Sequence, residues 1–239
     1  MSQALSTYLA AQNRAVVHAF VDSGWCICAA ISRDALESLA AQRQGVVRTL
    51  SGQGNDTALV VQRQGHAELW LPARQRGYTA PFLRFVEQHF GFRPGRVPPG
   101  WQVDHLFSRG RVQALGTEDD NRLPYGTLVR LLLVQAEVNQ SFGGLMEGAM
   151  IGSGNPFRAV RRFTYLQLAK ALSLTANRFG GGLSGPYQMA NFAHVTEGFE
   201  THGVLAGLGM GREQMMQQLL IQAETVQHYR QRGRPAFSG

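Results

Sequence analysis

Trp101-Gln102-Val103-Asp104-His105-Leu106-Phe107-Ser108-Arg109 is the stretch on which the reading of this chain turns. Trp101 and Val103 alternate with polar neighbours, which is the period of a half-buried strand. That strand brings Asp104 and His105 to the mouth of a turn, and Arg109 and Arg111 follow at once. A carboxylate beside an imidazole can divide two tasks: one holds a metal ion, the other takes a proton from water. The plainer reading is a surface turn with a hydrogen-bonded Asp and an incidental His, so the surroundings of the pair must separate the two.

Upstream, Arg93-Pro94-Gly95-Arg96-Val97-Pro98-Pro99-Gly100 reads as a stiff connector and as the clearest boundary in the chain. Before it, residues 2–20 carry a rough helical stripe of Leu5, Leu9, Val16 and Phe20, broken at Asp22-Ser23-Gly24. An apolar run over 25–31 fits either a strand or a helix segment. Ser32 caps a helix with Asp34 and Glu37 in its first turn, and Gly45 ends it. Residues 46–71 alternate around two turns and predict a small β-meander. Thr79 to Phe90 predicts a helix with Phe82, Phe85, Val86 and Phe90 on one face, closed by Gly91.

Downstream, 109–123 is polar, and 125–138 is dense in branched apolar residues that suit a buried strand or hairpin ending at Asn139. A short helix is expected over 145–151, and longer ones over 157–174, 187–200 and 212–232. The glycine clusters 180–185 and 207–211 read as loops between them, since neither has the ending of a phosphate-binding loop. The whole predicts an α+β protein: an α/β N-terminal region of unknown role over 1–92, a compact core over 93–155, and a helical part with a basic tail over 156–239.

The chain has 239 residues, long enough to bury a sizeable core, and its charged fraction is too low for a disordered polyelectrolyte. It carries 23 Lys and Arg against 16 Asp and Glu, and Lys170 is the sole lysine. Guanidinium forks suit phosphate, so nucleic acid is the expected partner, although a genome biased toward Arg codons gives the same composition. Cys26 and Cys28 are too close for an unstrained disulfide, and one such pair is not a zinc site. They read as buried thiols in a reducing compartment. The sequence shows no secretory signal and no run of roughly 20 apolar residues that would span a membrane. A cytoplasmic protein is expected, with export that needs no cleaved signal left open.

The order of Val103-Asp104-His105-Leu106, a second apolar strand and Asn139-Gln140-Ser141 resembles the HNH, or ββα-metal, endonucleases, of the kind found at the tips of bacterial polymorphic toxins and in phages. The resemblance covers only residues 103–141. It implies metal-dependent hydrolysis of DNA phosphodiesters, with His105 as general base, Asp104 as metal ligand and Asn139 orienting the base. Asn121, in Asp120-Asn121-Arg122-Leu123, competes for the orienting role. The family's usual helix histidine is missing after Asn139, which leaves Glu147, about two helical turns on, as the second ligand. Acidic ligands favour Mg²⁺ over Zn²⁺. Arg109 and Arg111 could clamp the non-bridging oxygens.

A second basic cluster, Arg158, Arg161 and Arg162, would share one face of a helix opening after Asn155-Pro156, either as a phosphate site or as a plain wet face. The rival to a nuclease is therefore a non-enzymatic nucleic-acid-binding or assembly protein that uses the same arginines. A helical adaptor with an incidental Asp-His pair is the third reading. A protein inhibitor or assembly partner is compatible with the helical end.

Overall fold

The computed structural model describes residues 3–23, 27–54, 57–105, 126–142, 160–162, 164–174 and 186–231. The fold is α+β. The chain forms two compact units, one of residues 1–15, 27–133 and 155–161, the other of 16–26, 134–154 and 162–239. The proline-rich connector 93–100 thus lies inside the first unit rather than at a boundary. Helix α1 (Gln3–Ser23) contributes residues to both.

The first unit is built on a sheet. Its strands are β1 (Ile27–Ala30), β2 (Val46–Thr49), β3 (Leu59–Arg63), β4 (His66–Pro72), β5 (Trp101–His105), β6 (Leu128–Gln135) and β7 (Val160–Arg162). They run in the order β2-β3-β4-β6-β1-β7, and β5 also pairs with β6. The β2–β3, β3–β4, β4–β6 and β1–β6 ladders are antiparallel. Turn chemistry explains the meander: Gly52 and Gly65 adopt positive φ at the two reversals, where a side chain would be strained.

One face of the sheet makes the core. Val60, Leu69 and Leu131 lie side by side across β3, β4 and β6. With Leu71, Leu133 and Val103 they meet Leu5, Tyr8 and Leu9 of α1, and also Phe82, Phe85 and Val86 of α3 (Thr79–Phe90). The i, i+3, i+4 spacing of those three α3 residues is what turns one stripe of the helix inward. Gly91, left-handed with φ 63°, ends α3 by returning its N–H to Glu87 O. The other face carries a polar set. Arg130 lies opposite Trp70, and its Nη1 sits 3.2 Å from Glu68 Oε1. Trp70 Nε1 donates to Glu68 Oε2 at 3.2 Å. The Arg130 side chain is 3% exposed, so desolvation offsets much of the attraction in this pair.

Strand β6 is buried along all but its last residue. At Leu133 a side chain completes its bonding. Gln12 Nε2 donates to Leu133 O at 2.8 Å, and Gln12 Oε1 accepts from Leu133 N–H at 2.8 Å. Tyr8 donates its hydroxyl to the same Oε1 at 2.9 Å. Burial pushes the Tyr8 phenol pKa up, with the Arg130 charge pulling the other way.

The second unit holds helices α4 (Ala136–Phe142), α5 (Tyr165–Ala171), α6 (Pro186–Thr201), α7 (Val204–Leu208) and α8 (Arg212–Gln231). Thr164 and Gln167 form a reciprocal capping box that starts α5. Buried Phe192, Val195 and Phe199 on α6 and Met215, Leu219 and Ala223 on α8 supply its core. Lys170 is buried within α5. Gly207 allows close packing on α1, since a Cβ there would fall 2.3 Å from Val21 Cγ1.

Three expectations are corrected. Residues 157–174 are not one helix: 160–162 form β7, and α5 begins only after Thr164, whose side chain caps it. Arg161 and Arg162 therefore lie on a strand and do not share a helical face; Arg158 lies outside the described residues. The strand over 125–138 stops at Gln135, and Ala136 and Glu137 open α4, so Asn139 is helical rather than at a strand end. The expected loop 207–211 is helical through Leu208 and turns only at left-handed Gly209. The helix expected over 145–151 and the glycines at 180–185 lie outside the described residues.

Gln12→Ala should leave a buried N–H and C=O of Leu133 without their partner and cost about 2–4 kcal/mol of stability in urea unfolding. A cost under about 0.5 kcal/mol would show that the amide clamp is dispensable. Burial also holds the imidazole pKa values of His89 and His202 below the ordinary value. Between the folded and unfolded pKa values the unfolded chain binds more protons, so stability falls as pH drops through about 6.5. His89→Gln should flatten that slope in pH-dependent melting; an unchanged slope would remove His89 as its source.

Candidate active site

The Asp-His pair occupies the last two residues of β5. Strand alternation sends Trp101, Val103 and His105 to one side and Gln102 and Asp104 to the other. The burial agrees: Val103 belongs to the core cluster, and Trp101 packs against it. His105 is 6% exposed and Asp104 is half-buried. His105 Nε2 and Asp104 Oδ2 are both shielded from solvent. The imidazole and the carboxylate therefore leave the strand on opposite faces.

Tyr78 holds the imidazole in place. Its ring lies 4.2 Å from that of His105, centroid to centroid, with the planes at 74°. This edge-on geometry is favourable for aromatic pairs. Tyr78 sits immediately before α3, and its carbonyl accepts from Phe82 N–H at 3.2 Å. The loop that leads to it is tied down at its start, where Ala73 N–H donates to Thr127 O at 2.8 Å, one residue before β6. Gly77, with φ 75°, makes the final bend. Arg74 and Arg76 of this loop are exposed. The sequence gives no local signal for Tyr78, because its partner is 27 positions away.

The remaining candidates are distributed as follows. Asn139, half-buried on α4, belongs to the second unit, whereas Asp104 and His105 belong to the first. Arg161 and Arg162 lie on β7. Asn121, Glu147, Arg109, Arg111 and Arg158 fall outside the described residues. What the chain does present is an order of elements: β5 ends in Asp104-His105, pairs with β6, and β6 passes directly into α4, which bears Asn139.

Among the described residues no group of three or more His, Cys, Asp and Glu is arranged to hold a metal ion. Of the two side chains at the end of β5, the Asp104 carboxylate is a hard oxygen donor of the kind Mg²⁺ takes, and the His105 imidazole is a nitrogen donor of the kind Zn²⁺ takes. Also among the described residues, no helix is long and apolar enough to cross a membrane. Compared with known proteins, the chain matches no family model, no curated protein and no solved structure.

Tyr78→Leu should displace the His105 imidazole resonances in NMR spectra and cost about 0.5–1.5 kcal/mol. Unmoved His105 resonances would mean that the two rings do not meet in solution.

Proposed function

We propose that this chain is a metal-dependent endonuclease that hydrolyses DNA phosphodiester bonds at the carboxyl end of β5. One observation carries the reading: the strand–strand–helix order in which β5 ends at Asp104-His105 and pairs with β6, and β6 is followed without a loop by α4 with Asn139. This is the order that the resemblance to ββα-metal nucleases implies.

Each residue then has a role. His105 takes the proton from the attacking water, and the Tyr78 ring keeps its imidazole from rotating away. Asp104 is the carboxylate through which Mg²⁺ would be held, and a bound divalent ion would neutralise charge on the phosphate and on the leaving oxygen. Asn139 is assigned to orienting the imidazole, while Arg109 and Arg111, which follow His105 in sequence, are assigned to the non-bridging oxygens. An antibacterial toxin or a phage-related enzyme is the setting that the resemblance suggests, and a protein inhibitor or assembly partner is compatible with it.

Supercoiled plasmid incubated with the protein and Mg²⁺ or Mn²⁺ tests the reading. The wild type should nick it, and EDTA should stop the reaction. His105→Ala and Asp104→Asn should each lose at least about 100-fold in rate with the fold intact. A wild type that binds plasmid but never nicks it would sink the enzyme and leave the non-enzymatic nucleic-acid binder.

A further inference from the structure

A groove of about 690 Å³ opens at the start of β5, at the other end of the strand from the Asp-His pair. Phe92, Arg93, Arg96, Pro98, Pro99 and Trp101 line it. We propose that this groove binds single-stranded DNA. The choice of DNA rests on the nuclease reading; the stacking and charge of the groove do not.

The lining supplies both things that an unpaired polynucleotide needs. Flat apolar surface comes first. Trp101 is half-buried, packed on one side against the core and lining the groove on the other. It is held in place by a turn: its N–H donates to Pro98 O at 3.1 Å, and Gly100 bends the chain with φ 78°. Aromatic platforms of this kind stack bases whatever their identity. Pro98 and Pro99 extend the platform with rigid ring faces. Charge comes second. Among the described residues that line it, the charged ones are Arg93 and Arg96, and both are exposed. Arg93 pairs with Glu87 at 2.8 Å, but this contact is solvent-exposed and can give way to phosphate.

Trp101 and His105 are four residues apart on one strand, roughly 13 Å, and Val103 between them is buried in the core, so the groove is a separate surface from the Asp-His pair. Duplex DNA keeps its bases stacked inside and cannot use the Trp101 platform. A proline-rich peptide could use the platform but would gain little from two guanidinium groups.

The test uses the full-length His105→Ala protein in EDTA, so that cutting cannot intervene, with a short oligo(dT) as probe. Of the three tryptophans, Trp70 is buried, and Trp101→Phe identifies how much of the emission change is local. Oligo(dT) should quench the fluorescence, and Trp101→Phe should remove most of the quenching. Trp101→Ala and Arg96→Glu should each weaken binding about tenfold, with a shallower salt dependence in the arginine variant. The matching duplex and a proline-rich peptide should bind more weakly than oligo(dT). Unchanged affinity in Arg96→Glu, whose exposed side chain is not needed for folding, would overturn the proposal. So would equal binding of duplex, or tighter binding of oligo(rU) or of the peptide. Oligo(dT) binding without plasmid nicking by the wild type would keep the groove and refute the nuclease. Nicking with no oligo(dT) binding would do the reverse.

Discussion

The first unit depends on satisfying the backbone of β6. A strand buried on both faces has no water for its N–H and C=O groups, so each must find a partner in the protein. Residues 128–131 meet β4, Ala29 and Ala30 of β1 meet Val129 and Leu128, and β5 also pairs with this strand. At Leu133 the partner is the Gln12 amide, which offers one donor and one acceptor as a neighbouring strand would. A helix side chain thus takes the place of a strand residue. The bond fixes the rotation of α1, which in turn places Tyr8 among Phe82, Phe90 and Phe92.

The two faces of the sheet are built on different principles. The α1–α3 face is apolar, and its packing carries Val103 of β5 into the core. The opposite face seats Arg130 against Glu68 and Trp70, a pair that specifies position more than it adds stability. The Asp-His pair inherits this asymmetry. His105 stands on the packed side, braced by an aromatic ring, and Asp104 stands on the other. An imidazole held in this way has little conformational freedom left to lose.

What the sequence made legible was local. Ser32 at an N-cap, Gly91 at a C-cap and the apolar stripe of α3 each act within a few residues, and the meander is written in its turns. What stayed hidden depended on distance. Residues 160–162 look helical among Arg and Phe, yet they join a sheet whose nearest strand, β1, lies some 130 positions earlier. The end of β6 was masked because its apolar run continues through Val138, which is buried on α4 instead. The Tyr78–His105 and Gln12–Leu133 contacts have no signature in any window of sequence. For the candidate site, the strand and its Asp-His pair could be read from their own alternation, whereas the brace behind His105 could not.

Lys170 has a consequence for the surface. It is the chain's sole lysine, and it is buried on α5. Every other basic side chain apart from the histidines is an arginine. The cationic exterior consequently presents no side-chain amine for acetylation or for amine-directed cross-linkers. Guanidinium keeps its proton far into the alkaline range, so neither acylation nor a moderate rise in pH would discharge that exterior. Ionic strength remains the practical control over the reach of that charge.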